Sequence, residues 1–529
     1  MINVSVETMT SSSSSCTSCE IEPRDVRCTD LLEFLQSNEQ LLCTVVWDTL
    51  QHWVFTVDGV SIFEHLYATE WDYSQWALRV RRFFGKFLQR EIELKLFLAC
   101  DESYPVAGVV PSRGVTFTDR LTDCAFDVNY AFTLFVDTCS DLGMKINVVN
   151  DAREMIEFAN TNRSPVISAN TRLCLFDMEN GVVLPQVQRD GWPLLVYYDR
   201  YELLQKLNCK NDRVLCQLAL LEYLDCLEDR GDCFCHLPKD VRVPRKLEPY
   251  VATLLMLKDL TPFEVRWEIV KNKITRHRHL IDSHLRIFEK YFTTTSEDLS
   301  RPTSAVKYCL RQGLSPAILN DNCVDLAPSL HDVIKSLLRG ESRTFRRSME
   351  SYAIDQLVSL TDDERFRQLR KTLDATNDLD VFRIEPASLR LPILAIHYWM
   401  AHSRTASCIE RNLALASVRM ATSGVAQRSL PMSKPSGNVE LDLEIAAPFM
   451  ELLRVITAAK CLNRVLGSPL PDKGLEKHFN FWCMYFWRLE IDPASKHFQY
   501  SYRQFALAGR SYGLRPECKY GCYLCGVRL

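Results

Sequence analysis

The chain has 529 residues and a mass of 61.1 kDa, room for about three to four ordinary domains or two large ones. Hydrophobic residues make up 47% and charged residues 25%, which excludes wholesale disorder and collagen-like repeats. Lys+Arg 63 against Asp+Glu 67 leave a net charge of −4, so a uniformly basic nucleic-acid coat is excluded while a local basic patch is not.

The opening Met1-Ile2-Asn3-Val4-Ser5 has no basic or apolar region of the secretory kind. Residues 11–15 are a serine run, and residues 1–29 read as a mobile, Ser-rich tail. Leu31, Leu32, Phe34 and Leu35 then fall close to one helical face. From there to about residue 200 the pattern alternates. Val54-Phe55-Thr56-Val57 is a short β-prone run ending at Asp58-Gly59. Residues 73–90 form a helix candidate with Trp76, Val80, Phe83, Phe84 and Phe87 inward, and residues 94–99 a second strand ending at Cys100-Asp101. Residues 152–160 are helical in pattern, and three further strands are expected at 165–168, 173–176 and 194–198.

Apolar strands without in/out alternation, separated by helices, predict an α/β domain with a mostly parallel sheet flanked by helices. Ligands of such sheets sit beyond the carboxyl ends of the strands, where Asp58 and Asp101 lie. Beyond residue 200 the pattern is almost wholly helical, with periodic segments at 203–226, 249–257, 267–291, 332–338, 365–373, 393–402, 441–466 and 477–489. The expected layout is an α/β domain over 30–237, a helical region over 238–427, a mobile connection at 428–440 containing Pro431, Pro435 and Gly437, a helical C-terminal region over 441–517, and a Cys-containing tail at 518–529.

Val54-Phe55-Thr56-Val57-Asp58-Gly59 with Phe63, His65 and Leu66 resembles the first strand and helix of the asteroid proteins, relatives of the flap endonucleases with a PIN-like fold. Arg153, Ala159-Asn160, Pro165-Val166-Ile167-Ser168 and Cys174-Leu175-Phe176-Asp177 resemble that family's central helix, strand and turn. In the C-terminal half the resemblance is carried by Leu314-Ser315-Pro316, Ser388-Leu389-Arg390-Leu391-Pro392-Ile393 with Tyr398-Trp399, Leu462-Asn463 with Ser468-Pro469-Leu470-Pro471, and Arg510-Ser511-Tyr512, in the family's order. The resemblance implies a PIN-like sheet followed by a large all-helical region, in a nucleus-based protein of DNA repair or signalling.

The active nucleases it points to hold two divalent cations between carboxylates, because hard cations require oxygen ligands. Carried over residue by residue, Asp58 matches the first acidic position and Asp101 the second, with Glu102 where a glycine normally follows. Asn150 and Ala152 stand at the acidic pair, with Glu154 or Asp151 as a partial substitute. Asn170 and Arg172 stand at the Asp-x-Asp turn, and Asp225 is kept. Four ligand positions are thus neutral or cationic. Asp58, Asp101, Glu154 and Asp225 remain as a residual acidic, metal-binding or catalytic set. Arg172 is expected to expel a cation or pair with Asp58 or Glu154. Asp58 itself reads as a metal ligand, a helix N-cap or an arginine partner.

Lys271, Lys273, Arg276 and Arg278 form a basic stretch that in flap-type relatives would grip phosphates, and otherwise reads as a solvated helix face. Twenty-one scattered cysteines read as reduced, mostly buried thiols of an intracellular protein. Zinc is the lesser reading of Cys16-x-x-Cys19, Cys233-Phe234-Cys235-His236 and Cys522-x-x-Cys525 with Cys518, whose knuckles stand too far apart for a ribbon. No Walker loop or dinucleotide fingerprint occurs, which removes nucleotide cofactors, and no apolar run is long enough for a membrane span. The expected protein is an asteroid-like, catalytically impaired derivative of structure-specific nucleases, bound to DNA, RNA or a protein, with no cofactor favoured. The alternatives are a working Mg²⁺- or Mn²⁺-dependent endonuclease on single-stranded or overhanging DNA, and a protein-interaction scaffold.

Overall fold

The computed structural model describes residues 28–50, 53–67, 73–99, 128–188, 194–210, 212–223, 245–258, 304–319, 354–373, 381–384, 386–403 and 442–473, with isolated positions at 292, 330, 333, 334, 337, 338, 410, 413, 414, 484, 485 and 488. Helix α1 (Thr29–Ser37) buries Leu31, Phe34 and Leu35. Strand β1 (Cys43–Val46) is followed by β2 (Val54–Asp58), which is buried at every position but the first. β2 runs directly into α2 (Gly59–Leu66). Helix α3 (Tyr73–Leu88) turns Trp76, Val80, Phe84 and Phe87 into the core, with Phe83 half-buried. Next come β3 (Glu93–Ala99), α4 (Val128–Asp141), β4 (Lys145–Val149) and α5 (Ala152–Thr161). The short β5 (Val166–Ile167), β6 (Val182–Val183) and β7 (Leu194–Tyr197) follow. The remaining helices are α6 (Arg200–Lys206), α7 (Val214–Tyr223), α8 (Glu248–Lys258), α9 (Ser304–Arg311), α10 (Asp362–Thr372), α11 (Arg390–His402) and α12 (Leu443–Val465). None among the described residues is long and apolar enough to cross a membrane.

The architecture is the expected one: an α/β chain with a parallel sheet flanked by helices and a helical C-terminal region. Five strands lie in the order β4-β3-β2-β5-β6, and every pairing is parallel. From β2 the chain adds β3 and β4 on one side, then returns to place β5 and β6 on the other. That reversal falls at the carboxyl ends of β2 and β5, the position where such sheets bind ligands.

Three local expectations are corrected. The segment 173–176 is no strand: residues 173–175 lie on a 3-10 turn (Thr171–Leu175) capped by the Asn170 side chain, and Phe176 follows it. Residues 194–198 do contain a strand, yet it pairs with β1 in a separate two-stranded sheet. The long helix expected over 203–226 is broken between α6 and α7, where Asn208 takes a left-handed φ of 54° that a right-handed helix cannot pass through. The sequence reading also passed over β4, a short edge strand. Helical expectations at 267–291 and the connection at 428–440 lie outside the described residues.

The chain divides into two compact units, residues 1–43, 170–178 and 197–296 in one and residues 44–169, 179–196 and 297–529 in the other. The second unit holds the five-stranded sheet and α9 to α12. Its aromatic core is built on Phe63, whose ring meets Trp76, Phe132 and Phe135 at centroid distances of 5.8, 5.1 and 5.7 Å. The Trp76 indole N–H donates to the Ala131 carbonyl at 2.9 Å, so no polar atom is stranded by burying that ring.

The first unit packs α1, α7 and α8 around Phe34, Tyr198 and Tyr250. Cys28, Cys174 and Cys216 are buried there, in line with the buried-thiol expectation. Burial, reinforced by Glu222, pushes the Cys28 thiol well above its ordinary range. The zinc candidates Cys16, Cys19, Cys233, Cys235, His236, Cys518, Cys522 and Cys525 lie outside the described residues.

Half-buried Glu222 accepts the Asp30 backbone N–H at 3.2 Å, and burial pushes its carboxyl up to about 7. A carboxyl raised on folding adds stability below its ordinary value of 4.5 and loses that contribution as pH rises through about 7. Glu222→Gln is therefore expected to flatten the fall in melting temperature between pH 4.5 and 7 and to melt higher than wild type at pH 8. Parallel pH profiles for the two proteins would contradict this.

Candidate functional site

Asp58 closes β2 and starts α2. Its backbone is extended, which turns the carboxylate over the first turn of the helix, and its Oδ1 accepts the Ser61 N–H at 3.3 Å. The other oxygen, Oδ2, accepts the Ser168 hydroxyl at 2.8 Å. Ser168 follows β5, so this bond joins the ends of the two strands between which the strand order reverses. The Ser61 and Ser168 hydroxyls lie 2.9 Å apart, and Ser61 Oγ accepts the Ala169 N–H at 3.1 Å. Asp58, Ser61 and Ser168 are all nearly inaccessible to solvent. Of the three sequence readings of Asp58, the N-cap is visible in these contacts, and the residue also ties the end of β2 to the end of β5.

A second cluster lies at the end of β4. The Asn150 amide donates to Glu154 Oε1, and the Asn150 backbone N–H donates to Glu154 Oε2 at 3.3 Å. On its other side Asn150 accepts through Oδ1 from the Lys307 ammonium at 2.9 Å. Lys307 is carried by α9, which packs on β4. The amide thus links the carboxylate to the ammonium. Asp151 caps α5, accepting from Arg153 N at 3.0 Å and pairing with its guanidinium at 3.3 Å. Ala152 is buried and offers no side-chain oxygen.

The two clusters are separate. Asp58 lies level with Phe97 on β3, and Phe97 level with Asn147 on β4. Asn150 is therefore two strand spacings, about 10 Å, across the sheet, and three residues further along.

Asn170 and Arg172 belong to the other unit. Asn170 Oδ1 accepts the Arg172 N–H at 3.0 Å. The Arg172 side chain is buried, and its positive charge favours the Cys28 thiolate without outweighing burial. Asp101, Asp225, Lys271, Lys273, Arg276 and Arg278 lie outside the described residues. Among the described residues no group of three His, Cys, Asp or Glu side chains is arranged to hold a metal ion.

Lys307 changes the chemistry available at the β4 end. A unit charge pair 4 Å apart is worth about 4 kcal/mol at an effective dielectric of about 20, so an ammonium bonded to Asn150 opposes a divalent cation at that amide. Glu154 is the carboxylate of this cluster, but both of its oxygens already accept from Asn150, while Ala152 and Lys307 offer such an ion no oxygen. The sequence reading missed Lys307, Ser61 and Ser168. Lys307 stands 157 residues from its partner and carries no local signal, whereas Ser61 is the third helical residue after an Asp N-cap, a pattern open to reading.

No protein-family model matches the chain, and no curated protein matches it. Among solved structures, human GEN1 in complex with Holliday junction DNA is similar at 13% identity and a TM-score of 0.33, over 60% of this chain and 81% of that one.

Proposed function

We propose that this chain is an asteroid-like protein derived from structure-specific nucleases, impaired in catalysis and acting through nucleic-acid binding, with DNA repair in the nucleus as its setting. The observation that carries this reading is the Lys307–Asn150–Glu154 chain of hydrogen bonds. Where the family resemblance calls for an acidic pair beside a metal ion, an amide and an ammonium already satisfy one another. Asp58 supports the same reading, since both of its carboxylate oxygens hold protein donors. Binding is assigned to Lys271, Lys273, Arg276 and Arg278, whose contacts would be with phosphates and so independent of sequence.

The test is cleavage of end-labelled single-stranded, overhanging and branched DNA with Mg²⁺ or Mn²⁺, beside salt-dependent binding of the same substrates. The expected result is binding that weakens with salt and no cleavage that depends on Asp58. Manganese-dependent cleavage lost in Asp58→Asn would overturn the reading in favour of a working endonuclease built on Asp58, Asp101, Glu154 and Asp225. Absence of both binding and cleavage would leave the protein-interaction scaffold.

A further inference from the structure

Helix α3 and the two residues after it carry Arg79, Arg81, Arg82, Lys86 and Arg90, with no acidic residue from position 73 to 90, in a chain whose net charge is −4. Arg90 is drawn onto the fold: it lies 4.6 Å over the Trp47 ring and donates to the Lys86 carbonyl at 2.8 Å. Arg81, Arg82 and Lys86 are exposed, turned away from the buried side chains of Trp76, Val80, Phe84 and Phe87. Arg82 and Lys86 stand four residues apart, so they are neighbours on one face, about 6 Å apart along the axis.

A distant part of the chain adds to this face. Asp141, at the end of α4, meets Arg81 at 3.2 Å through one oxygen and Lys473, beyond α12, at 3.3 Å through the other. All three side chains are exposed, and all belong to the second unit. One carboxylate is thus shared by two cations, and Arg82 and Lys86 beside them leave the face with an excess of positive charge.

Gly85 lies in the same row. Glycine inside a helix weakens it, and packing does not demand one here, because an added Cβ would meet nothing within 4 Å. Its helical neighbours three and four residues back are Arg82 and Arg81. A bare helix backbone between cations admits a ligand to close range. Among the described residues of α3 no aromatic ring is exposed, so this face offers nothing on which a base could stack. What it complements is a row of phosphates, and a duplex carries them at the higher density.

We propose that the exposed face of α3, with Arg81, Arg82, Lys86 and Lys473 around Gly85, docks the phosphate backbone of duplex nucleic acid. Contacts of this kind position a duplex without reading its sequence. The inference rests on the proposed nucleic-acid reading and adds to it a second surface, on the sheet-bearing unit, and a preference for the duplex.

The experiment is fluorescence anisotropy of the full chain with a labelled duplex of about 20 base pairs and with one of its strands, over a range of salt concentrations. Arg82→Glu with Lys86→Glu is expected to flatten the log–log salt slope for the duplex by about 1.8, two contacts at roughly 0.9 each, and to weaken binding about thirtyfold at ~0.15 M salt. The melting temperature should not fall, since both side chains are exposed. Gly85→Leu is expected to raise the melting temperature and still weaken duplex binding, which a purely structural role for this position would not do. Wild-type duplex affinity in either variant would overturn this inference and leave the nucleic-acid reading standing. A charge variant that loses more single-strand than duplex affinity would also overturn it, because the face would then serve a different occupant. A wild-type protein that binds neither form would remove both readings.

Discussion

Asp137→Ala is expected to destabilise the sheet-bearing unit by about 3–5 kcal/mol, the usual consequence of removing one member of a buried ion cluster. Asp137 on α4 pairs with Lys460 at 3.2 Å and with Arg464 at 2.7 Å, both on α12, and Arg464 also holds Asp472 at 2.7 Å. These are poorly hydrated charges, with side-chain exposures of 14% for Asp137, 1% for Lys460, 7% for Arg464 and 8% for Asp472. Without Asp137, Arg464 keeps Asp472, whereas Lys460 keeps, among the described residues, the face of the Tyr130 ring, 4.8 Å away. The damage thus concentrates on one ammonium, and adding Lys460→Met should recover most of the loss. If the double variant is no more stable than Asp137→Ala in urea unfolding, the buried charge is not the cause.

The same cluster has a pH signature. Burial alone would raise the Asp137 carboxyl, but Lys460 and then Arg464 outweigh it and hold the group below its ordinary 3.8. A depressed carboxyl contributes its stability above 3.8 and loses it as pH falls through the lower folded value. The gap between wild type and Asp137→Ala should therefore stay constant from neutral pH down to about 4 and narrow only in stronger acid.

This cluster also shows where reading the sequence stops. Asp137 and Arg464 are separated by 327 positions, and nothing local in either helix announces the other. The helices themselves were legible, because Trp76, Val80, Phe84 and Phe87 repeat at helical spacing and are buried. β2 and β3 were legible as uninterrupted apolar runs. The 3-10 turn at Thr171–Leu175 was not, since four buried apolar residues in a row suit a strand equally well, and Asn170 capping the turn decided the matter. At the candidate site, Asp58 was legible from its place after β2. Its partner Ser168 was not, because the bond depends on β5 returning beside β2, a consequence of sheet order. Lys307 was illegible for the same reason, arriving on a helix far along the chain.

Gly59→Ala and Gly85→Ala are expected to move stability in opposite directions, although both glycines begin or occupy a helix. At Gly85, in α3, an added methyl would meet nothing within 4 Å, so the substitution should stabilise by about 0.5–1 kcal/mol through helix propensity alone. At Gly59 the same methyl would lie 2.8 Å from Leu98 Cδ2, 2.9 Å from Leu96 Cδ1 and 2.9 Å from the Phe97 carbonyl oxygen. The two leucine ends could turn aside. The carbonyl cannot, because Phe97 is fixed in β3 level with Asp58. The helix would have to back away from the sheet at its first residue, at a cost of about 1–3 kcal/mol, loosening the Ser61 N–H from the Asp58 carboxylate one turn on. Thermal melts of the two variants against wild type give the comparison. A Gly59→Ala protein as stable as wild type would mean that α2 does not depend on this close approach to β3. The Asp58-Gly59 pair therefore has a packing reason to exist, because aspartate caps the helix and glycine lets it meet the neighbouring strand.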